Sequence, residues 1–123
     1  MLVDTSVWID HFRRSDPALA AALDRGEVQC HDFVIGELVC GTLPRRDEVL
    51  ALMQALPRIP AVLHDEAMAL VAERRLWGKG LAWIDVSLLA AALVAGVPLW
   101  TRDRRLRDVV RDLDLAWEPA QGS

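Results

Sequence analysis

The chain has 123 residues, 53% of them hydrophobic, which is enough for one folded domain with a sizeable core and excludes a disordered chain. Its net charge of -4 at pH 7 gives no overall basic footprint of the kind that nucleic-acid-binding domains usually carry. Cys30 and Cys40 are the only cysteines, and their spacing does not match a structural zinc site, so we predict buried free thiols in a reducing cytoplasm.

The N-terminal residues and the longest uncharged run bear on localisation. Asp4 stands where a secretory signal would have basic residues before a long apolar core. The uncharged run over residues 86–101 is shorter than a membrane span and contains Gly96 and Pro98. We therefore expect a cytoplasmic protein with no membrane segment.

Short apolar runs alternate with helical patterns in the first half of the chain. Residues 1–4 predict a strand with Asp4 at its carboxyl end, followed directly by a helix. Asp16 is placed to cap a second helix, and residues 28–31 predict another short strand. Asp32 is expected to cap the helix that carries Glu37.

The second half continues this alternation, often with two helices between strands. In order, the sequence predicts helix 44–55, a strand around residue 59, helix 64–77, a loop at 78–80, the Asp85 helix ending at Gly96, strand 97–101, helix 104–113, edge strand 115–117 and a frayed tail at 118–123. The pattern predicts a single three-layer α/β/α domain over residues 1–123, with a short, mainly parallel five-stranded sheet.

Asp85 is the only ionisable residue between Leu81 and Thr101. A helix here places it on one stripe with apolar residues at positions 88, 89 and 92, so its carboxylate is expected to point inward. A buried carboxylate is costly unless it is paired or binds a metal. The sequence therefore predicts that Asp85 has a partner, either a paired group or a metal ion.

Three other acids are candidates for the same site. Asp4 ends the first strand, Asp103 follows a later strand, and Glu37 is the one charge on an apolar helical stripe. Ligands of parallel sheets bind outside the carboxyl ends of the strands, where these acids can converge. Two carboxylates about 5 Å apart repel by roughly 3 kcal/mol. Four such acids in one site would therefore have to be neutralised by shared protons, by arginines or by a divalent cation. All-oxygen ligands favour Mg²⁺ or Mn²⁺ over zinc, and the chemistry implied is metal-assisted phosphodiester hydrolysis.

Each of these residues also has a structural interpretation without function. Asp4 and Asp85 could be helix caps, and Glu37 could be half of an ion pair with an arginine. Arg102 and Arg104 are candidate phosphate contacts, or else members of a solvated helix face. The five tryptophans are expected mostly in the core or an interface rather than stacked on bases.

Four short motifs in order resemble the PIN-domain nucleases, and most closely the VapC-type toxins of toxin–antitoxin pairs. They are Asp4-Thr5-Ser6, Gly36-Glu37-Leu38, Asp85 at the start of an Ala-rich helix, and Thr101-Arg102-Asp103. The resemblance covers nearly the whole chain. It implies a magnesium-dependent endoribonuclease, a homodimer, and a small VapB-like antitoxin whose tail fills the acidic cleft.

The resemblance also implies residue roles. Asp4 and Asp85 would be the direct metal ligands, Asp103 would complete the site, and Glu37 would act through water or position the nucleophile. Ser6 and Thr101, which stand in the first and the last motif, would be supporting residues whose hydroxyl groups orient the acids.

Two rival functions remain open at this point. A noncatalytic PIN-like module would bind RNA or a protein without cleavage, and would be expected to have lost one of the acids. A phosphoacceptor domain would need a second acid near Asp4 and a lysine after a later strand, but the only lysine is Lys79 in a glycine-rich loop.

Overall fold

The structure, a computed structural model, describes residues 1–119, so most of the predicted tail at 118–123 lies outside the described residues. Within them the chain forms two strands and seven helices. In chain order these are β1 (Leu2–Val3), α1 (Thr5–Arg13), α2 (Pro17–Asp24), α3 (Asp32–Cys40), α4 (Arg46–Ala55), α5 (His64–Arg74), α6 (Trp83–Ala95), β2 (Leu99–Trp100) and α7 (Arg104–Asp112).

The sheet is parallel but smaller than the sequence predicts. β1 pairs with β2 in the register Leu2 to Leu99 and Val3 to Trp100. The three other predicted strands contribute only single parallel bridges, which join Leu2 to Gln29, Cys30 to Arg58 and Leu99 to Ala116. The prediction of five strands is therefore wrong for the described residues.

Proline explains part of this shortfall. Pro57 and Pro60 flank the bridge at Arg58 and have no N–H group to donate to a neighbouring strand. The segment exchanges only two backbone hydrogen bonds with Cys30: the Cys30 N–H donates to the Pro57 carbonyl, and the Ile59 N–H donates to the Cys30 carbonyl. A ladder limited in this way does not extend into a regular strand.

Helix ends agree with the sequence where a cap is local. Asp16 accepts a hydrogen bond from the Leu19 N–H at 3.0 Å, as predicted, and Gly96 ends α6 with a φ of +69°. The cap of α3 was predicted wrongly, because His31 and not Asp32 holds that position: its Nδ1 accepts from the Phe33 N–H at 2.9 Å. The predicted helices 44–55, 64–77 and 104–113 are each shorter, since α4 begins at Arg46, α5 ends at Arg74 and α7 ends at Asp112.

The hydrophobic core includes both strands of the short sheet and the middle of α6. Residues 86–92 of α6 are all buried, and Trp8 and Trp100 are core residues, as expected for most tryptophans. Trp77 is 64% exposed and Trp83 is 41% exposed, so these two are not core residues, and an interface role for them stays a prediction. Cys30 and Cys40 are both free, but only Cys30 is buried. None of the described helices combines the length and the apolar character that crossing a membrane requires.

Candidate active site

Asp4 lies directly after β1, with a side chain that is 6% exposed. Two hydroxyl groups donate to the same carboxylate oxygen, Oδ2: Ser6 Oγ at 2.7 Å and Thr101 Oγ1 at 2.8 Å. Although Asp4 occupies the N-cap position of α1, its side chain makes no capping hydrogen bond. The hydrogen bonds of this carboxylate therefore orient it and do not cap the helix.

Glu37 is brought to Asp4 by a hydrogen bond from α1. Thr5 Oγ1 donates to Glu37 Oε1 at 2.7 Å, which ties the first turn of α1 to α3. The predicted inward stripe is wrong, because α3 buries Val34, Ile35 and Leu38 and leaves Glu37 exposed. None of the ion pairs among the described residues includes Glu37, so the alternative of a structural arginine pair is not seen.

Asp85 lies in the first turn of α6 and is half-buried, at the edge of the core and not inside it. Its Oδ2 accepts a hydrogen bond from the Ala82 N–H at 2.8 Å. The interpretation of Asp85 as the N-cap is therefore wrong, because Asp85 is the third helical residue and accepts from the N–H of the N-cap residue, Ala82. The stripe behind it is buried as predicted.

Asp103 occupies the N-cap position of α7, where its Oδ1 accepts from the Leu106 N–H at 3.1 Å. Its own N–H donates to Thr101 Oγ1 at 3.1 Å. Thr101 therefore joins Asp103 to Asp4 through a single buried hydroxyl group. The Ser6 hydroxyl makes a similar link, because it accepts from the Arg102 N–H at 3.0 Å while it donates to Asp4.

The four acids form one electrostatic group. Desolvation raises the pKa of Glu37 above its ordinary value, the hydrogen bond from Thr5 opposes this, and the charges of Asp4 and Asp85 add to the rise. Desolvation likewise raises the pKa of Asp85, the bond from the Ala82 N–H opposes it, and the charges of Asp4 and Asp103 add to it. Each acid thus feels at least one of the others as a like charge.

The comparisons with known proteins agree with this geometry. Residues 1–112 match the PIN domain family. The chain belongs to this family. The PIN domain described here is also 51% identical over 108 residues to Ribonuclease VapC32 of Mycobacterium tuberculosis, from strains CDC 1551 / Oshkosh and ATCC 25618 / H37Rv. Each alignment covers 87% of both chains, which supports membership of the VapC-type branch.

One oxygen of each carboxylate in this PIN domain is anchored and the other is not. Among residues 1–119, hydrogen bonds reach only Oδ2 of Asp4, Oε1 of Glu37, Oδ2 of Asp85 and Oδ1 of Asp103. The second oxygen of each side chain keeps its lone pairs for water or a cation. The same part of the chain contains no group of three acidic, histidine or cysteine side chains close enough to enclose a metal ion.

The oxygen donors nevertheless fit a hard divalent cation. Mg²⁺ usually keeps several water ligands and binds proteins through one or two carboxylates, so a three-carboxylate cage is not required. Carboxylates with raised pKa values lose their mutual repulsion when a dication neutralises them. The donor chemistry therefore fits Mg²⁺ or Mn²⁺ and does not fit zinc, which prefers nitrogen and sulfur ligands.

The two candidate phosphate contacts have different surroundings. The Arg102 guanidinium pairs with Asp10 at 2.8 Å and with Asp16, and it lies over the Trp100 ring. It is therefore already neutralised and ties the α1–α2 corner to the exit of β2. Arg104 is exposed and, within the described residues, has no ion pair.

The sequence identified Ser6 and Thr101 as supporting residues, and the structure places both against Asp4. It gave no role to Thr5, whose hydroxyl group donates to Glu37, although Thr5 lies within the Asp4-Thr5-Ser6 motif. No sequence spacing connects residues that are 32 apart in the chain. The one available signal was a second hydroxyl residue beside Asp4.

Proposed function

We propose that this chain is a metal-dependent endoribonuclease and the toxin component of a VapBC-like toxin–antitoxin system. The observation that carries the proposal is the group of four carboxylates, each oriented through one oxygen and open at the other. The cofactor would be Mg²⁺, with Mn²⁺ as a substitute. The name of the relative, a ribonuclease at 51% identity, supports RNA as the substrate.

Asp4 and Asp85 would hold the cation, with their free oxygens Oδ1 directed to it. Asp103 would complete the site from the start of α7. When bound, a divalent ion lowers the pKa of a water molecule and stabilises charge on a phosphoryl group. Glu37, with its raised pKa, would position the attacking water and accept its proton.

Ser6 and Thr101 would keep the Asp4 carboxylate in one rotamer, so that Oδ1 does not need to reorient during the reaction. Thr5 would do the same for Glu37. Arg104 would contact a substrate phosphate next to Asp103. The ion pairs of Arg102 make it a weaker candidate for this role.

A groove beside Glu37 supports the antitoxin proposal. Its volume is about 350 Å³, and its apolar lining includes Ile9, Phe12, Leu38 and Leu43. An amphipathic segment that fills this groove would carry a basic side chain to the acids, where it would replace the charge of the cation. The proposed cellular location is the cytoplasm.

Homodimerisation is also part of the proposal. Leu63 and Met68 at α5 and Val94 at the end of α6 are large apolar side chains that are more than half exposed. Burying them against a second copy of the chain would remove apolar surface from water. The same surface borders a shallow depression between α5 and α6.

The test is cleavage of single-stranded RNA by the purified chain with Mg²⁺ and with EDTA. Asp4→Asn and Asp85→Asn should each reduce the rate by about 100-fold or more, because each removes a cation ligand. Asp24→Asn is the matched control, since Asp24 is exposed at the end of α2 and makes no contact with the four acids. Full activity in Asp4→Asn or in EDTA would overturn the proposal, and RNA binding with no metal-dependent cleavage would favour the noncatalytic module.

A further inference from the structure

Arg105 lies across the backbone of Gly80. A Cβ atom built on Gly80 would be 2.7 Å from Arg105 Cδ and 2.9 Å from Arg105 Nε, which is closer than van der Waals contact. Gly80 also has a φ of +77°, a conformation that residues with a side chain rarely adopt. The backbone conformation therefore favours glycine here, and a side chain at this position would also displace the arginine above it.

This contact joins the two helices that begin at the acidic cleft. Gly80 is two residues before Ala82, whose N–H donates to Asp85 Oδ2 at the start of α6. Arg105 is two residues after Asp103, the N-cap of α7. The charge of Asp103 also acts on Asp85, so the segment that precedes Asp85 and the segment that follows Asp103 are joined by this contact near two coupled acids.

Arg105 carries a charge that no neighbouring acid cancels. It is exposed, and among residues 1–119 no carboxylate lies within ion-pair distance of it. Some arginines of the chain are paired, such as Arg25 with Glu27 and Arg102 with Asp10 and Asp16, whereas Arg104 shares with Arg105 the absence of an ion pair among residues 1–119. An RNA strand that enters a cleft of four carboxylates is repelled by them, so a fixed positive charge at the rim would lower that cost.

We propose that Arg105, seated on Gly80, binds a phosphate of the RNA backbone beside the cleft. The inference rests on the proposed ribonuclease function and adds a binding residue that holds the strand next to the reacting phosphodiester. Glycine matters because Gly80 has no side chain, so the Arg105 side chain can lie directly against the loop backbone. An arginine held in this way loses less conformational freedom when it binds a phosphate.

The experiment measures binding of a fluorescein-labelled single-stranded RNA by anisotropy, in EDTA and over a range of salt concentrations. Arg105→Ala should weaken binding several-fold and lower the slope of log K against log salt by about 0.7, the value for one phosphate contact to a single strand. Arg25→Ala is the matched control, because it removes the same charge at the opposite end of β1, where Met1 contacts Glu27. It should leave the slope unchanged.

Gly80→Ala tests the contact between Arg105 and the backbone of Gly80. It should weaken RNA binding in the wild-type background and have a much smaller effect when Arg105 is already alanine, since only then is there no guanidinium to displace. Equal effects in both backgrounds would overturn the role of Gly80. Melting temperatures measured for each variant separate loss of binding from loss of folding.

The outcomes distinguish this inference from the proposed function. If the wild-type chain cleaves RNA with Mg²⁺ and Arg105→Ala has the same salt slope as Arg25→Ala, the phosphate contact is wrong and the nuclease stands. If the wild-type chain neither binds nor cleaves RNA, the proposed function fails and this inference fails with it.

Discussion

Hydroxyl side chains determine which oxygen of Asp4 is free. Ser6 and Thr101 both donate to Oδ2, and Thr101 is buried, so its hydrogen bond is shielded from competing water. Without these donors the carboxylate would occupy several rotamers. The result is a carboxylate with one defined orientation, in which Oδ1 is free.

Replacing Thr101 tests this orientation. Thr101→Val keeps the shape of the side chain and removes the hydroxyl, so we expect the rate of RNA cleavage to fall by roughly 10- to 100-fold, as for other residues that orient metal ligands. Thr101→Ser should recover most of the rate because it restores the donor. The measurement is the rate against Mg²⁺ concentration, and a half-saturating concentration that does not change in Thr101→Val would argue against an orienting role.

The raised pKa of Asp85 gives a prediction about stability. Desolvation is its main cause, and the charges of Asp4 and Asp103 contribute. Because the folded-state pKa is above the unfolded value, near 3.9, the stabilising contribution is full below that value and is lost as pH rises through the folded-state pKa. At neutral pH the charged Asp85 therefore destabilises the metal-free chain.

Asp85→Asn should accordingly melt at a higher temperature than the wild-type chain at pH 7 in EDTA, because asparagine still accepts from the Ala82 N–H. The difference should shrink as the pH is lowered, because protonation of Asp85 removes the charge that the other acids repel. Thermal unfolding across this range measures it. A variant less stable than the wild type at pH 7 would contradict the predicted strain between the acids.

At the scale of elements, α3 is positioned by its N-cap. His31 is fully buried, its Nδ1 accepts from the Phe33 N–H, and its Nε2 has no hydrogen-bond partner among the described residues. Only a neutral imidazole can accept at Nδ1. Burial lowers the pKa of His31, which keeps the ring neutral, and the charge of Asp32 opposes this to a smaller extent.

His31 therefore predicts a loss of stability in acid. With a folded-state pKa below the unfolded value of about 6.5, its contribution is full above that value and is lost as pH falls through the folded-state pKa. His31→Asn keeps a capping side chain but does not titrate, so its free energy of unfolding should fall less between pH 7 and pH 5 than that of the wild type. Urea unfolding at the two pH values measures this, and equal losses would contradict the buried neutral cap.

At the scale of the whole molecule, Asp4 directly follows β1, Asp103 lies three residues after β2, and the charge of Asp4 acts on both Glu37 and Asp85. The net charge of -4 attracts divalent cations and repels the RNA backbone. The parallel pairing of β1 with β2 brings the ends of both strands together, and Thr101 joins Asp4 to Asp103 there through its hydroxyl group.

Mg²⁺ should therefore stabilise the whole fold. A ligand that binds only the folded chain adds about 2.7 kcal/mol at a hundredfold excess over its Kd. We expect the melting temperature at pH 7 to rise with Mg²⁺ and to return with EDTA. Asp4→Asn should remove most of the rise, and NaCl at matched ionic strength should not reproduce it. An equal shift with NaCl would assign the effect to screening.

Local chemistry allowed much of this protein to be predicted from its sequence. Asp16 with Pro17 starts α2, Gly96 ends α6, and the apolar residues behind Asp85 form a buried helix face, because each of these depends on a few neighbouring residues. The apolar pattern failed for Glu37, since α3 packs through other residues and leaves this acid on its exposed face.

Tertiary structure alone decided how the acids meet. Thr101 reaches Asp4 across 97 residues because the β1–β2 register places Trp100 beside Val3, and Thr5 reaches Glu37 because α1 packs against α3. The sequence determined which side chains carry charge and hydroxyl groups. Strand pairing and helix packing decided which oxygen atoms are anchored and which are free, since these depend on contacts between segments far apart in the chain.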